Sequence, residues 1–279
     1  MKLNLKLPEV SLEGQIFSDA QFNELRLFFT HITGNKLDFD KRALLESRLR
    51  KCIMELGVTP SEYVKLVKNQ PDEQKKFITA LTTHKTDWFR ENIHFEILKK
   101  EINNEKNKRS KEWLIWSAAC SSGEEVYSLL MTFLENNENR VKILGTDISE
   151  NCLHLGQQGV YSPSQIHSQV PADLIQKYFL SGLVQGEKKY KFNPDFSHHL
   201  KWRNFNLVNS DLATPLQFDV IFLRNVLIYF DPEDATLVAE RLCRYLKKGG
   251  LFVVGLSETI YKAEQIGLKR IENSVYRKL

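Results

Sequence analysis

No run of apolar residues in this chain approaches the ~20 that a membrane-spanning helix requires, and the N-terminus lacks the apolar core of a secretory signal. A cytoplasmic protein is therefore expected. Cysteines are few: Cys52, Cys120, Cys152 and Cys243 stand singly, without the close spacing of a metal ribbon or a disulfide framework. Reduced thiols are expected, and no metal; the adjacent His198 and His199 have no metal partners in spacing either. There is no internal repeat and no low-complexity tract. The formal net charge of +4 permits an acidic partner without specifying nucleic acid. What remains, 42% hydrophobic and 27% charged residues over 279 positions, is an ordinary globular composition with room for two modest domains.

The chain is organised around Trp116-Ser-Ala-Ala-Cys-Ser-Ser-Gly-Glu-Glu125, an apolar run turning through small residues into an amphipathic helix. Leu114 to Trp116 read as a buried strand, while Ala118, Ala119 and Gly123 let a ligand approach the backbone. Val126, Leu129, Leu130 and Phe133 then share one helix face. Glu124 and Glu125 at the helix start would repel a pyrophosphate. The loop instead suits a ligand with a positive end, an ammonium or a sulfonium, and S-adenosylmethionine carries both. Small-residue turns of this kind also occur in many α/β folds without that role. Val141 to Leu144 form a second strand, and Asp147 at its end is placed to accept both ribose hydroxyls of an adenosine, or else serves as a helix N-terminal acid.

Before this domain the pattern is helical. Residues 1–17, with alternating Leu3, Leu5 and Leu7, read as a terminal tail or an added edge strand. Residues 18–81 read as an all-α domain of four helices: one from Ser18 carrying Phe22, Leu25, Phe28 and Phe29 up to Gly34, one from Asp40 to Gly57, then Pro60 to Lys68 and Asp72 to Leu81. Lys41, Arg42, Arg48, Arg50 and Lys51 crowd the second helix, as a solvated face or as a docking surface for an acidic helix. Residues 82–91 link this domain to the α/β domain, 92–279, where a cleft would form.

Within 92–279, Cys152 to Gly156 and Pro171 to Leu180 read as helices. Residues 182–204, with Gly182, Gly186, Tyr190-Lys-Phe192 and Leu200-Lys-Trp202, read as a small antiparallel β-subdomain, a structural hairpin or an edge for strand addition by a peptide. Phe218 to Asn225 form a strongly apolar strand with polar groups at its C-terminal edge, where open α/β sheets bind ligands. Asp231, Pro232 and Gly249 frame a helix with Val238, Leu242 and Tyr245 inward. Leu251 to Val254, Ile260 to Ile266 and Ser274 to Arg277 read as strand, helix and strand.

Four ordered stretches carry a resemblance: Leu81-Thr-Thr-His-Lys-Thr-Asp-Trp-Phe-Arg-Glu91, the central stretch extended through Val-Tyr-Ser128, Gly145-Thr-Asp-Ile148, and Phe218-Asp-Val-Ile-Phe-Leu-Arg-Asn-Val-Leu-Ile-Tyr-Phe-Asp231. Leu246-Lys-Lys-Gly-Gly250 and Gly255-Leu-Ser-Glu258 follow in order. From about Phe17 onward the chain resembles the CheR-type chemotaxis receptor methyltransferases, which esterify receptor glutamates using S-adenosylmethionine. The resemblance implies a Rossmann-like class I methyltransferase domain with an inserted antiparallel β-subdomain, preceded by an all-α domain. It implies cofactor contacts from His84, Thr86, Arg90, Ala118, Glu124, Asp147, Asn206, Leu207, Arg224 and Asn225. Arg90 and Tyr229 would lie at the site of transfer, and Arg48, Arg50 and Lys51 would meet the receptor's acidic methylation helices. Some members also hold the receptor's C-terminal pentapeptide on the β-subdomain. A monomer with no nucleic-acid partner and no membrane insertion is implied, and S-adenosylhomocysteine as the product.

Three positions depart from that pattern. His84 stands where Asn is common, Leu223 where Cys is frequent, and the ribbon lacks the Gly-x-Gly turn of pentapeptide-dependent members. Two other functions fit a cofactor fold of this kind: methylation of another substrate, or a non-catalytic signalling module that binds the cofactor. Against a nucleic-acid substrate, Leu223-Arg-Asn-Val226 contains no Asp/Asn-Pro-Pro-aromatic run.

Overall fold

The computed structural model describes residues 15–105, 109–212 and 216–279. The expectation for Leu3, Leu5 and Leu7 lies outside them. The chain divides into two compact units, Met1–Thr83 and His84–Leu279.

In the first unit, α1 (Asp19–Thr33), α2 (Arg42–Leu56), α3 (Pro60–Asn69) and α4 (Pro71–Leu81) enclose a core of Phe22, Leu25, Phe29, Leu45, Leu49, Ile53, Tyr63, Val67 and Phe77. Ser18 caps α1 in a reciprocal pair with Gln21, and Gly34 ends it in the left-handed region at φ 72°. A 3₁₀ turn over Phe39–Lys41 precedes α2, so the α-helix begins two residues later than Asp40. Glu46, buried on α2, accepts hydrogen bonds from the backbone N–H groups of Ile16 and Phe17 and pairs with Arg42 at 3.0 Å. Arg42 in turn meets Asp19 and the carbonyl of Phe17, so one ion cluster fastens the chain entering α1 onto α2.

The second unit is built on a seven-stranded sheet of β1 (Trp113–Ala118), β2 (Val141–Asp147), β6 (Leu200–Asn204), β7 (Phe218–Leu223), β8 (Leu246–Val254), β9 (Leu268–Glu272) and β10 (Val275–Lys278). Their order is β6-β2-β1-β7-β8-β10-β9, with β10 antiparallel to both of its neighbours and the β6-to-β8 ladder parallel. Helices α5 (Ile93–Glu105), α6 (Glu124–Glu135), α7 (Glu150–Gln158), α8 (Pro163–Ile166), α9 (Ala172–Tyr178) and α10 (Pro232–Cys243) complete the unit. Alternation along β1 sends Trp113 and Ile115 into one core with α5 and α6, and Trp116 and Ala118 into another with α10. Burial on both faces is why the central strands read as continuous apolar runs.

The insertion differs from the sequence reading. A three-stranded sheet of order β3-β5-β4 is formed by β3 (Val160–Tyr161), β5 (Glu187–Phe192) and β4 (Phe179–Val184). Its β4–β5 hairpin thus starts at Phe179 rather than Gly182, cutting short the helix read over Pro171 to Leu180, and β3 joins it from well before the expected range. Gln185 and Gly186, at φ 51° and 81°, make the two-residue hairpin turn between β4 and β5. Leu200 to Trp202 belong elsewhere. They pair in parallel with Ile143 to Gly145 and form the edge of the main sheet. The cause is packing: the Trp202 indole fills space left by three glycines, where an added Cβ would approach it to 2.8 Å at Gly123, 3.0 Å at Gly145 and 2.7 Å at Gly156.

Two smaller readings also change. α10 ends at Cys243, and Gly249 sits inside β8 at φ 79°, where the pairing skips from Leu246 to Leu251 while β7 advances only from Phe218 to Val220. The Ile260 to Ile266 helix is only a 3₁₀ turn over Ala263–Ile266.

Candidate active site

The C-terminal ends of β1, β2 and β7 and the turns beyond them carry Glu124, Asp147, Arg224, Asn225 and Tyr229. Asp147 closes β2, buried, with Oδ2 accepting from Ser121 N and Oδ1 from Ser149 N, both at 2.9 Å. Burial pushes its carboxyl up from the usual range, while those N–H groups pull the other way. Facing it, Ala118 ends β1, and the following loop passes through the left-handed region at Ala119 (φ 65°) and Ser121 (φ 49°). Strained backbone of this kind persists where the surroundings hold it, and here the Asp147 carboxylate does so.

Glu124 and Glu125 separate into two roles. Glu124 is buried at the start of α6, accepts from Ser122 Oγ at 2.7 Å, and is pushed up by burial. Glu125 accepts from Ser117 Oγ at 2.6 Å and pairs with Arg224 at 2.9 Å, so its charge is already answered by the protein. At Gly123 an added Cβ would crowd Trp202, Gly156 and Tyr127, so packing alone already requires glycine there.

Residues 84–91 form a wall of the α/β unit. Ser121 Oγ donates to the His84 carbonyl at 2.9 Å, and the Gln169 amide bonds both Asp87 and Trp88 N at 2.8 Å. Ser128 Oγ accepts from Phe89 N at 3.0 Å. Trp88 packs edge-on against Tyr161 and Phe179, tying this wall to β3 and β4. His84 is half-buried, with Nδ1 3.1 Å from Cys152 Sγ. Thr86 and Arg90 are half-buried, and Arg90 Nη1 donates to the Lys85 carbonyl at 3.2 Å.

Glu91 is the member of this wall that sequence reasoning passed over. It pairs with Arg224 at 3.0 Å, accepts from Asn225 Nδ2 and Leu256 N at 3.0 Å, and lies 3.6 Å from His94 Nδ1. Burial works to raise its carboxyl, but Asn225, Arg224 and Leu256 together hold it below the usual value. The Arg224 side chain, only 1% exposed, is fixed between Glu91 and Glu125 and also donates to the Arg90 carbonyl. It joins the 84–91 segment to the start of α6.

Beyond β7 the chain turns at Asn225, φ 56°, into a 3₁₀ turn over Leu227–Tyr229 that leaves Tyr229 half-buried. This turn hangs on one buried carboxylate: Glu258 accepts from Asn225 N at 2.8 Å, Ile228 N at 3.2 Å and Gly255 N at 2.6 Å. Burial raises Glu258, and these N–H groups oppose it. After β6, Phe205 N donates to the Asp147 carbonyl at 3.0 Å, which brings Asn206 and Leu207 alongside β2. Asn206 Oδ1 accepts from Val208 N at 2.9 Å, and Leu207 is buried. Glu258 stood in the sequence only as the last residue of Gly255-Leu-Ser-Glu258, and no pattern pointed to Glu91 as a hub.

Residues 84–276 match the family description CheR methyltransferase, SAM binding domain, and residues 20–82 match CheR methyltransferase, all-alpha domain. The chain belongs to the CheR methyltransferase family. It is 34% identical to chemotaxis protein methyltransferase 2 of Pseudomonas aeruginosa, over 93% of each chain. It is 32% identical to the chemotaxis protein methyltransferase of Escherichia coli, covering 91% of this chain and 89% of that one. A Borreliella burgdorferi relative of the same name is 31% identical over 92% of this chain and 94% of its own. A CheR-family α/β unit of this topology is an S-adenosylmethionine-dependent methyltransferase domain, and the donor set suits that cofactor. Both Asp147 oxygens accept backbone N–H groups, from Ser121 and Ser149, and an ionised carboxylate acts as an acceptor only.

The remaining sequence candidates lie on α2 of the helical unit. Arg48 Nη1 donates to the carbonyls of Ala80, Leu81 and Thr82 at 3.3, 2.9 and 3.1 Å, closing the end of α4. Lys51 is exposed beside Glu55 at 3.7 Å, and Arg50 is half-buried.

Proposed function

We propose that this chain transfers methyl groups from S-adenosylmethionine to glutamate side chains in the cytoplasmic helices of chemotaxis receptors, forming glutamyl methyl esters. The match over both family domains and nearly the full length of proteins named chemotaxis protein methyltransferases carries this reading. In it, Asp147 takes the ribose, with Asn206 and Leu207 around the adenine, and Ala118, Thr86 and Glu124 along the methionine end. Glu124 supports the last assignment because its charge, unlike that of Glu125, is not answered by Arg224. Arg224 and Asn225 support the middle of the cofactor through the backbone they order.

When bound, the cofactor supplies an electrophilic methyl on a sulfonium. A glutamate carboxylate, of reference pKa ~4.3, is ionised near neutral pH, so accepting that methyl requires no general base. The protein's task is in-line placement of the carboxylate oxygen. Arg90 orients it by a charge-assisted hydrogen bond, and Tyr229, held by the Glu258-ordered turn, borders the methyl's path. Arg90→Ala is expected to lower kcat/KM for receptor by about tenfold or more while cofactor binding persists.

For the receptor, Arg50 and Lys51 supply cationic contacts on α2. The outer edge of β4, with Leu180 53%, Leu183 76% and Val184 49% exposed, suits strand addition by an extended receptor tail. The experiment is transfer of labelled methyl to receptor cytoplasmic fragments with and without their C-terminal tails, followed by alkaline release of methanol. Base-labile label on the fragments is expected. Its absence despite cofactor binding would sink the receptor reading, and equal labelling of tailless fragments would remove the role of β4.

A further inference from the structure

A second chemistry sits at the adenosine end of the site. His84, Asp147 and Cys152 offer one ligand atom each, and the three atoms lie within 4.8 Å of one another. His84 Nδ1 and Cys152 Sγ are 3.1 Å apart, although 68 residues separate them in the chain. The three come from different elements: the wall at 84–91, the end of β2 and the first turn of α7. Each is held by its backbone surroundings, His84 through Ser121 Oγ, Asp147 through Ser121 N and Ser149 N, and Cys152 through its N–H to Ser149 Oγ at 3.3 Å.

Recognition of a ribose needs only the carboxylate. A thiol against an imidazole adds nothing to it, since both are weak or single hydrogen-bond partners. Sulfur, nitrogen and oxygen converging in a largely buried corner, with His84 at its half-buried rim, are instead the donor set of a borderline-soft divalent ion. A tetrahedral ion with bonds of about 2.0–2.3 Å needs its donors roughly 3.3–3.5 Å apart; the 3.1 Å His84–Cys152 pair would open slightly and any wider pair, none beyond 4.8 Å, would close. A water can fill the fourth position. Hard ions such as magnesium are excluded by the thiolate.

We propose that His84, Asp147 and Cys152 form a zinc-class metal site that shares Asp147 with the cofactor's ribose, so that metal and S-adenosylmethionine exclude one another. Metal binding displaces the Cys152 thiol proton to solvent and engages the Asp147 lone pairs that would accept the ribose hydroxyls. The methyltransferase then becomes sensitive to free zinc through competition for its cofactor. The shared-carboxylate half rests on the ribose assignment of Asp147.

Cobalt(II) is the probe, added to the full-length reduced protein. One equivalent is expected to give a thiolate-to-cobalt charge-transfer band and the visible bands of tetrahedral cobalt. Cys152→Ser should abolish the charge-transfer band and weaken metal binding on the order of tenfold or more. The same variant should bind S-adenosylmethionine normally in chelator, which also shows that it folds. His84→Asn should lose the tetrahedral bands as well. In calorimetric titrations, zinc should raise the apparent Kd for S-adenosylmethionine in proportion to its concentration, and Cys152→Ser should be insensitive. Absence of a thiolate band, or its survival in Cys152→Ser, overturns the site. A Cys152-dependent band that cofactor fails to displace upholds the metal ligands and overturns both the competition and the placing of the ribose on Asp147.

Discussion

Arg224 is flanked by Glu91 and Glu125 at 3.0 and 2.9 Å with almost no solvent access, so removing it leaves two partly buried carboxylates uncompensated. Arg224→Ala is expected to cost about 3–5 kcal/mol in urea unfolding, and Arg224→Lys less, because a single ammonium cannot bridge both acids. His94 makes a second residue-scale prediction. Burial, and then the Arg224 charge, hold its pKa down to about 4 against the opposing pull of Glu91. The unfolded chain, with His near 6.5, therefore binds the proton first, and the fold loses stability as pH falls from about 6.5 toward 4. His94→Leu should flatten the dependence of the urea midpoint between pH 7 and 5. Asp147 was legible from its distance past the small-residue loop. The pairing of Glu91 and Glu125 with Arg224 was not, because it spans 133 and 99 residues, and local spacing carries no trace of such pairs.

Helix ends and a strand edge decide the behaviour of the elements. Arg48 resembles one more cation on a basic helix, yet its guanidinium closes the last carbonyls of α4. Arg48→Ala should therefore destabilise the protein by about 1–3 kcal/mol in urea. Lys51→Glu should leave stability within about 0.5 kcal/mol but weaken receptor binding, most at low salt. On the sheet edge, a methyl added at Gly156 would come within 2.7 Å of the Trp202 ring. Gly156→Ala is expected to cost about 1–3 kcal/mol and to quench or shift Trp202 fluorescence. The β6 misreading has the same root. Leu200 to Trp202 has strand character, but its partner is chosen by a tryptophan fitting against glycines in three other elements.

Across the whole molecule, the two units carry separate cores, a helical one around Phe22 and Phe77 and two faces of a sheet around Trp116 and Phe222. A cofactor that binds only the folded α/β unit stabilises it by mass action, about 2.7 kcal/mol at a hundredfold excess over Kd. Saturating S-adenosylmethionine should raise the Tm of that unit by several degrees. Asp147→Asn, which turns one acceptor into a donor, should lose most of the shift.

Local chemistry was enough for the four helices of residues 18–81, the strands β1, β2 and β7, the small-residue turn after β1 and the acid closing β2. Caps, periodicity and burial on both faces are written into consecutive residues, and the ordered motifs carried the family. Long-range pairing was not written there. The assignment of Leu200–Asn204 to the main sheet, the Glu91–Arg224–Glu125 brace, the turn suspended from Glu258 and the meeting of His84 with Cys152 each join segments distant along the chain. Such contacts arise from volume and charge being satisfied in three dimensions at once, which no single stretch of sequence specifies.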